Sequence, residues 1–387
     1  MAEKDQAPTA ATPTAAPQAP APSVSAPLGT MVVPADGQLA TPQPRPDDPI
    51  PEADLALLNR APKLRWGVIG CGVIANEMAA SLALEGRRIA GVANRTRAKA
   101  EAYAARHGVE RVYDSYRQMY DDPDIDAIYV TTPHNTHIDF IRDAAAAGKH
   151  ILCEKAITLN TAELDEGMRL AAENDVVLMD ACTILHMPLY RELRRRLEAG
   201  DFGRVHMAQV NFGSFREYDE KVRFFNPRLA GGAMLDIGVY AFTMARTFLD
   251  SAPTEFLSLE NPAFTGVDEE SAIIMRNAER QLCTFSLTLH AKQPKRYVIA
   301  TDRGYLEGME YPRADEASFV WWPENRRETF RVGQRRLALN YALADLEAAV
   351  AGEPDALRCA EWSHDVMRMM TDVRYQWDFR YPEERNE

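Results

Sequence analysis

Gly70, Cys71, Gly72, Val73, Ile74 and Ala75 spell G-x-G-x-x-A directly after a short apolar run, Arg65–Ile69. After a strand, each small residue in this pattern has a task. The first glycine makes a tight turn, the second lets backbone approach a pyrophosphate, and the third small residue lets a helix pack close to a sheet. The helix start then offers free N–H groups and the positive end of its dipole to phosphates. Roughly 20 residues on, a site selective for NAD carries an acidic residue for the ribose 2′-hydroxyl. This chain has Asn94, Arg95 and Thr96 there. A neutral donor beside a guanidinium suits a 2′-phosphate, which arginine binds in a bidentate manner. The expected cofactor is therefore NADP, with NAD as the alternative. The plainer reading of Arg95 is a solvated helix-start residue that tolerates either.

Two further groups are equipped for acid–base work. Glu154 and Lys155, in Cys153-Glu154-Lys155-Ala156, follow another short apolar run. A lysine there stands at the carboxyl end of a parallel sheet, where such folds bind ligands. Its ammonium, partly desolvated, can bond a substrate hydroxyl or lower the pKa of a neighbouring acid. Glu154 is placed to hold it, although a Glu-Lys pair by itself is usually a surface pair. The second group is Gly231–Tyr240, GGAMLDIGVY, which runs on into Ala241-Phe242-Thr243-Met244. A helix apolar on nearly every side must be buried. Asp236 is its polar exception, and a buried Asp needs a partner. Tyr240 lies one turn later on the same face, so the pair makes a candidate acid/base site. The plainer reading is a buried tyrosine whose hydroxyl satisfies the Asp. His186, Arg223 and Asn226 are candidate donors to a substrate, or ordinary structural residues. No His, Cys or carboxylate cluster has metal-ligand spacing, so no metal is expected.

Alternating strands and helices must position these groups. Strands are expected at Arg65–Ile69, Arg88–Ala93, Asp126–Thr131, His150–Cys153 and Val176–Asp180. Helices are expected between them at Ile74–Leu84, Arg97–His107, Ile138–Ala147 and Thr161–Asn174. That rhythm means a doubly wound parallel sheet covered on both faces. After about residue 185 it changes. Helices over Pro188–Ala199 and Met234–Leu249 accompany strands at Val205–Phe215, Ser271–Arg276, Gln281–His290, Arg296–Thr301 and Ser318–Trp322. This predicts a second α/β domain with an open, mostly antiparallel sheet. Helices over Tyr341–Ala351 and Glu361–Val373 close the chain. The expected division is an arm at 1–60, a nucleotide domain at 61–184, and a substrate and oligomerisation domain at 185–387.

The 387 residues are 46% hydrophobic and 26% charged, which is globular composition outside the Ala/Pro-rich first 60. That segment has too little apolar surface to offset its ordering entropy and is expected to be disordered or loosely docked. It lacks the apolar run of a signal peptide, and no stretch elsewhere approaches a membrane span. The net charge of −13 disfavours a nucleic-acid partner. Cys71, Cys153, Cys182, Cys283 and Cys359 lie far apart, which argues for reduced thiols in a cytoplasm.

Together the motifs resemble those of the glucose–fructose oxidoreductase, inositol dehydrogenase and rhizopine-catabolism oxidoreductases, the Gfo/Idh/MocA family. The resemblance spans residues 63–375. It rests on Gly70–Ala75, on Thr131–His137 (TTPHNTH), on Glu154-Lys155 and on Gly231–Tyr240. It implies a Rossmann domain followed by an open-sheet α/β domain, with Lys155, Asp236 and Tyr240 as catalytic residues. It also implies that Thr132, Pro133, His134, Asn135 and His137 line the nicotinamide ribose and that the segment around His186 enters the substrate pocket. Tyrosine at 240 is closer to the glucose–fructose oxidoreductase and dihydrodiol dehydrogenase branches than to the inositol dehydrogenases, which tend to have histidine. Ala156 departs from the family's usual proline, a residue that restrains its backbone. Lys155 is therefore expected to sit slightly differently, a change that does not abolish activity because the lysine itself is present. The implied reaction is reversible hydride transfer between nicotinamide and a carbinol carbon of a sugar, cyclitol or cyclic diol. Either Tyr240 or Lys155 carries the proton. Two alternatives remain open: a tightly held cofactor serving a redox-neutral sugar reaction, and a non-catalytic NADP-sensing regulator. The family's open sheet commonly pairs between subunits, so a homodimer or homotetramer is expected, and the arm either wraps a neighbour or is a free tail.

Overall fold

The computed structural model describes residues 49–386. Six short strands come first: β1 (Trp66–Ile69), β2 (Gly91–Ala93), β3 (Arg111–Val112), β4 (Ala127–Val130), β5 (His150–Cys153) and β6 (Leu178–Asp180). They lie in the order β3-β2-β1-β4-β5-β6 with every pair parallel. β1 and β4 are buried at every position, which is why these strands read as continuous apolar runs without alternation. Strand order reverses between β1 and β4. A doubly wound sheet opens a ligand crevice at the carboxyl ends of such strands.

The second sheet contains β7 (Val205–Gly213), β8 (Glu255–Pro262), β9 (Asp268–Arg276), β10 (Leu282–Thr288), β11 (Gln293–Thr301), β12 (Gly304–Met309), β13 (Glu316–Trp321) and β14 (Arg327–Arg331). Its order is β14-β13-β12-β11-β7-β10-β9-β8. Every pair is antiparallel except β7 with β10, which run parallel at its centre. The fold is the expected one. β8, β12 and β14, like β3 in the first sheet, do not stand out in the sequence. In β8 the usual inside–outside rule is inverted: Leu257 and Leu259 face outward, 73% and 80% exposed. β12 and β14 are too rich in charge and glycine to stand out.

Two expected boundaries need correction. The arm at 1–60 does not extend to residue 60. A helix at Glu52–Leu58 is docked, with Leu58 buried and the Tyr341 hydroxyl donating to Asp54 Oδ1 at 2.7 Å. The rest of the expected arm lies outside the described residues. The closing helices, Ala338–Val350 and Pro354–Gln376, also do not belong to the second domain alone. Asn340 Nδ2 donates to the Ser81 carbonyl at 2.9 Å, Trp66 Nε1 to Glu347 Oε1 at 3.2 Å, and the Thr161 N–H to Thr371 Oγ1 at 3.2 Å. Their apolar faces complete the outer layer of the parallel sheet, a role no local pattern announces. No helix among the described residues is long and apolar enough to cross a membrane.

Candidate active site

The glycine turn is built as its residue types require. Gly70 has φ +99°, and a Cβ on it would lie 2.6 Å from Thr131 Oγ1. Only glycine tolerates that backbone and that neighbour. A Cβ on Gly72 would meet nothing within 4 Å, so the space beside the helix start is open. The helix Val73–Leu84 has Gly72 at its cap and no side-chain cap bond. Its first N–H groups are therefore left for an anion. Val73 is 79% exposed and Ile74 and Cys71 partly so, which leaves apolar surface beside the turn. These features fit a dinucleotide. Beyond β2, the Asn94 amide nitrogen donates to the Thr96 carbonyl at 2.9 Å, and Arg95 beside it is exposed. Lys99, one turn after Arg95, was not anticipated. It lies near enough to Cys71 for its charge to be felt there. Among the described residues neither Arg95 nor Lys99 pairs with a carboxylate, whereas Arg97 is bound to Glu101 and Asp114.

Lys155, Asp236 and Tyr240 are brought together. Lys155 leaves the end of β5, and its Nζ donates to the Asp236 carbonyl at 2.6 Å and to Asp236 Oδ1 at 3.3 Å. The same ammonium lies 4.6 Å from the centre of the Tyr240 ring. The Lys155–Ala156 peptide is cis, and with alanine there the lysine still reaches this position. Asp236 sits in a π-helical turn, Met234–Gly238, that runs into the helix Val239–Phe248 carrying Tyr240. Such turns recur at functional sites. Arg223 supplies the second cation, with Nη2 at 2.6 Å from Asp236 Oδ1. Burial opposes the charge on Asp236, but the Lys155 ammonium and the Arg223 guanidinium hold its carboxyl well below the usual range. Burial pushes the Tyr240 phenol well above its ordinary value, and the charges near Cys182 and Glu154 add to this. The phenol is thereby kept protonated.

Several expected roles change. Glu154 does not hold the lysine ammonium. It accepts from the Tyr129 hydroxyl and, at 3.3 Å, from the Lys155 N–H, and burial raises its pKa. His186 is fully buried, with Nδ1 2.7 Å from Asp345 Oδ2 and Nε2 2.7 Å from the Asp180 carbonyl. Neither nitrogen is left for a substrate, so His186 is a structural residue. Asn226 Oδ1 accepts from the Arg228 N–H at 2.9 Å and caps a turn. His137, also fully buried, braces two loops through the Thr132 and Ala156 carbonyls at 2.9 and 3.0 Å. It shapes the cofactor loop without facing a ligand. Asn135 Nδ2 bonds the Arg228 carbonyl and Glu383 at 3.1 and 2.8 Å. Thr132 accepts from the Thr136 hydroxyl at 2.8 Å, and Pro133 caps the turn His134–Thr136. Buried His134 keeps an unpartnered Nδ1 and is held neutral by burial and the nearby cations. Arg313 escaped the sequence reading. It pairs with Glu77 at 3.0 Å, close enough to Tyr240 and Glu154 to feel their charge. A cavity of about 450 Å³ lies elsewhere, lined by Arg60, Arg191, Arg194 and Trp362 among others. It includes none of the acid–base residues.

Sequence comparison identifies the family. Residues 64–181 match the family model described as an oxidoreductase family with an NAD-binding Rossmann fold, and residues 190–307 match the GFO/IDH/MocA C-terminal domain. The trans-1,2-dihydrobenzene-1,2-diol dehydrogenase of Xenopus tropicalis is 30% identical over 63% of this chain and 74% of its own length. The chain belongs to the Gfo/Idh/MocA family. It is an NAD(P)-dependent oxidoreductase of the dehydrogenase and reductase type. Like the Xenopus tropicalis protein, the Xenopus laevis enzyme of the same name is 30% identical, over 67% of this chain and 77% of its own. Among solved structures, the family fold is shared with the 3-ketoreductase KijD10 of Actinomadura kijaniata, solved with TDP-benzene and NADP. It has a TM-score of 0.70 at 23% identity and covers 81% of this chain and 98% of that one. Aldose-aldose oxidoreductase from Caulobacter crescentus gives 0.73 at 21% identity, covering 81% and 97%.

Proposed function

We propose that the protein is an NADP(H)-dependent dehydrogenase acting on a carbinol carbon of a small polyhydroxylated substrate, a cyclic diol, cyclitol or sugar. The observation that carries this is the Lys155 ammonium, bound to Asp236 and lying over the Tyr240 ring, at the carboxyl edge of a dinucleotide-binding sheet. When bound, the nicotinamide supplies or accepts the hydride. Tyr240, neutral and half-buried, donates a proton to the substrate oxygen in reduction and takes one back in oxidation. Lys155 bonds that oxygen and steadies the phenolate through the ring, and Asp236 fixes the ammonium. Arg223 shares the carboxylate, which keeps one cation on Asp236 while Lys155 moves toward substrate. A panel of cyclic diols, inositols and aldoses, followed through reduced-nicotinamide absorbance with NADP and NAD, tests this. No turnover with any member would overturn it.

The NADP preference rests on Arg95 and Lys99. An Arg95→Ala variant is expected to bind NADP about 10- to 100-fold more weakly, the loss of a charge-assisted bond, with NAD binding unchanged. Equal loss for both cofactors in a fluorescence titration would count against it. The outer face of the eight-stranded sheet suits a second copy of the chain. Leu257 pairs across the strands with half-exposed Ile274, and Leu259 with Ala272. Contiguous apolar patches of this kind mark interaction surfaces. Light scattering is expected to give a homo-oligomer for the native chain and a monomer for Leu257→Asp with Leu259→Asp. A native monomer would contradict this. Among the described residues Cys71, Cys153, Cys182 and Cys283 are free thiols, which suits a reducing cytoplasm.

A further inference from the structure

Asp268, the first residue of β9, is 1% exposed. Its Oδ2 accepts the Met234 N–H at 2.6 Å, and Met234 begins the π-helical turn that holds Asp236. The residue in the cap position, Ala233, contributes no side-chain bond. A carboxylate from a distant strand therefore does what a local Ser or Asp does at other helix starts. The glycine pair now has a reason. Gly232 has φ +119°, and a Cβ on it would lie 2.2 Å from Asp268 Oδ1. A Cβ on Gly231 would lie 2.6 Å from the Arg223 carbonyl, so the same pair seats the loop that delivers Arg223 to Asp236. Asp268 Oδ1 has no hydrogen-bond partner. A half-satisfied buried carboxylate is costly, and native proteins seldom keep one without use.

We propose that Asp268 is a positioning residue for the reaction: its buried carboxylate caps the helix carrying Asp236 and Tyr240 and fixes where both stand. This rests on the roles given to those two residues above. The charged and titratable groups facing it are Glu260 from β8, the Arg374 guanidinium from the helix Pro354–Gln376, and Tyr381. Burial, reinforced by Glu260, pushes Asp268 up to about 7 against the opposing pull of the Met234 N–H and Arg374. The cap therefore changes charge near neutrality. As pH falls through that value the bond to Met234 loses its charge-assisted character. Because the folded pKa lies above the ordinary carboxylate value, the stability contributed by this group is present at low pH. It is lost as pH rises through about 7.

Asp268→Ala and Asp268→Asn in the full chain test this, since Asn keeps an acceptor without the charge. Asp268→Ala is expected to lower kcat about 10- to 100-fold, the effect of a small displacement of reacting groups. KM and NADP affinity should stay near native, and backbone hydrogen exchange over residues 233–240 should quicken. Asp268→Asn, a neutral acceptor like the protonated acid, is expected to give a kcat between those of the native enzyme and Asp268→Ala, and one that no longer falls as pH drops through neutrality. Native kcat in Asp268→Ala, an equal loss in both variants, or a loss of cofactor affinity in step with kcat would each overturn the proposal. If the native protein turns over no polyol, the functional reading fails by itself. Exchange over 233–240 still decides the cap: unchanged rates in Asp268→Ala overturn it.

Discussion

Replacing Tyr240 by Phe is expected to lower kcat by about 10²- to 10⁴-fold, the usual contribution of a positioned general acid. The change removes one oxygen. It leaves the ring against Phe212, whose centre lies 5.9 Å away, and beneath the Lys155 ammonium. Packing, cofactor affinity and the Lys155–Asp236 pair should therefore persist, so the loss should appear in kcat and not in NADP binding. The phenol is held well above its ordinary pKa chiefly by burial, so it stays protonated across the accessible range. Stopped-flow measurement of the hydride step with saturating NADPH would isolate the effect. Near-native turnover in Tyr240→Phe would transfer the proton-carrying role to Lys155, the other assignment compatible with the same geometry.

The second large effect concerns stability. Arg374 is fully buried and bonds Glu384 through both terminal nitrogens, at 2.6 and 2.7 Å, and the Leu159 carbonyl at 2.8 Å. Asn160 donates to the same carboxylate at 3.0 Å. Removing the guanidinium strands a buried negative charge. Arg374→Ala is expected to cost about 3–5 kcal/mol, the usual penalty for breaking such a pair. Denaturant unfolding would measure it, and a loss below about 1 kcal/mol, the level of an exposed pair, would show that water reaches Glu384. Because Leu159 and Asn160 lie just beyond Lys155, cofactor-loop order should suffer as well. Arg374→Lys should rescue only part, since an ammonium cannot reproduce the planar fork.

The nucleotide half was legible because its evidence is local. Each strand and helix carries its own periodicity, and Gly70–Ala75 binds through backbone that those residue types directly determine. Asp236 and Tyr240 stood out by polarity within an apolar helix, whereas Lys155 was singled out by the family resemblance, since a Glu-Lys pair after a strand is by itself usually a surface pair; the structure brings the three side chains together. What failed was any statement about which polar atoms were already spent. A histidine looks alike in sequence whether free, like His134 Nδ1, or fully engaged, like His186 and His137. Asn226 likewise gave no sign that its side chain closes a turn. Arg313 and Asp268 reach the site from far along the chain, through sheet register and loop placement, and nothing near them marks this. Lys99 was the one omission within reach, being one helical turn from Arg95.

The parallel pairing of β7 with β10 has a consequence for how the catalytic centre comes into being. Parallel neighbours require a crossover, and here the chain between Gly213 and Leu282 includes the Asp236 and Tyr240 helix as well as β8 and β9. The sheet thereby joins strands on the order of 70 residues apart, a pairing that carries a large loop-closure entropy. The acid–base helix is thus packed by the same event that completes the sheet.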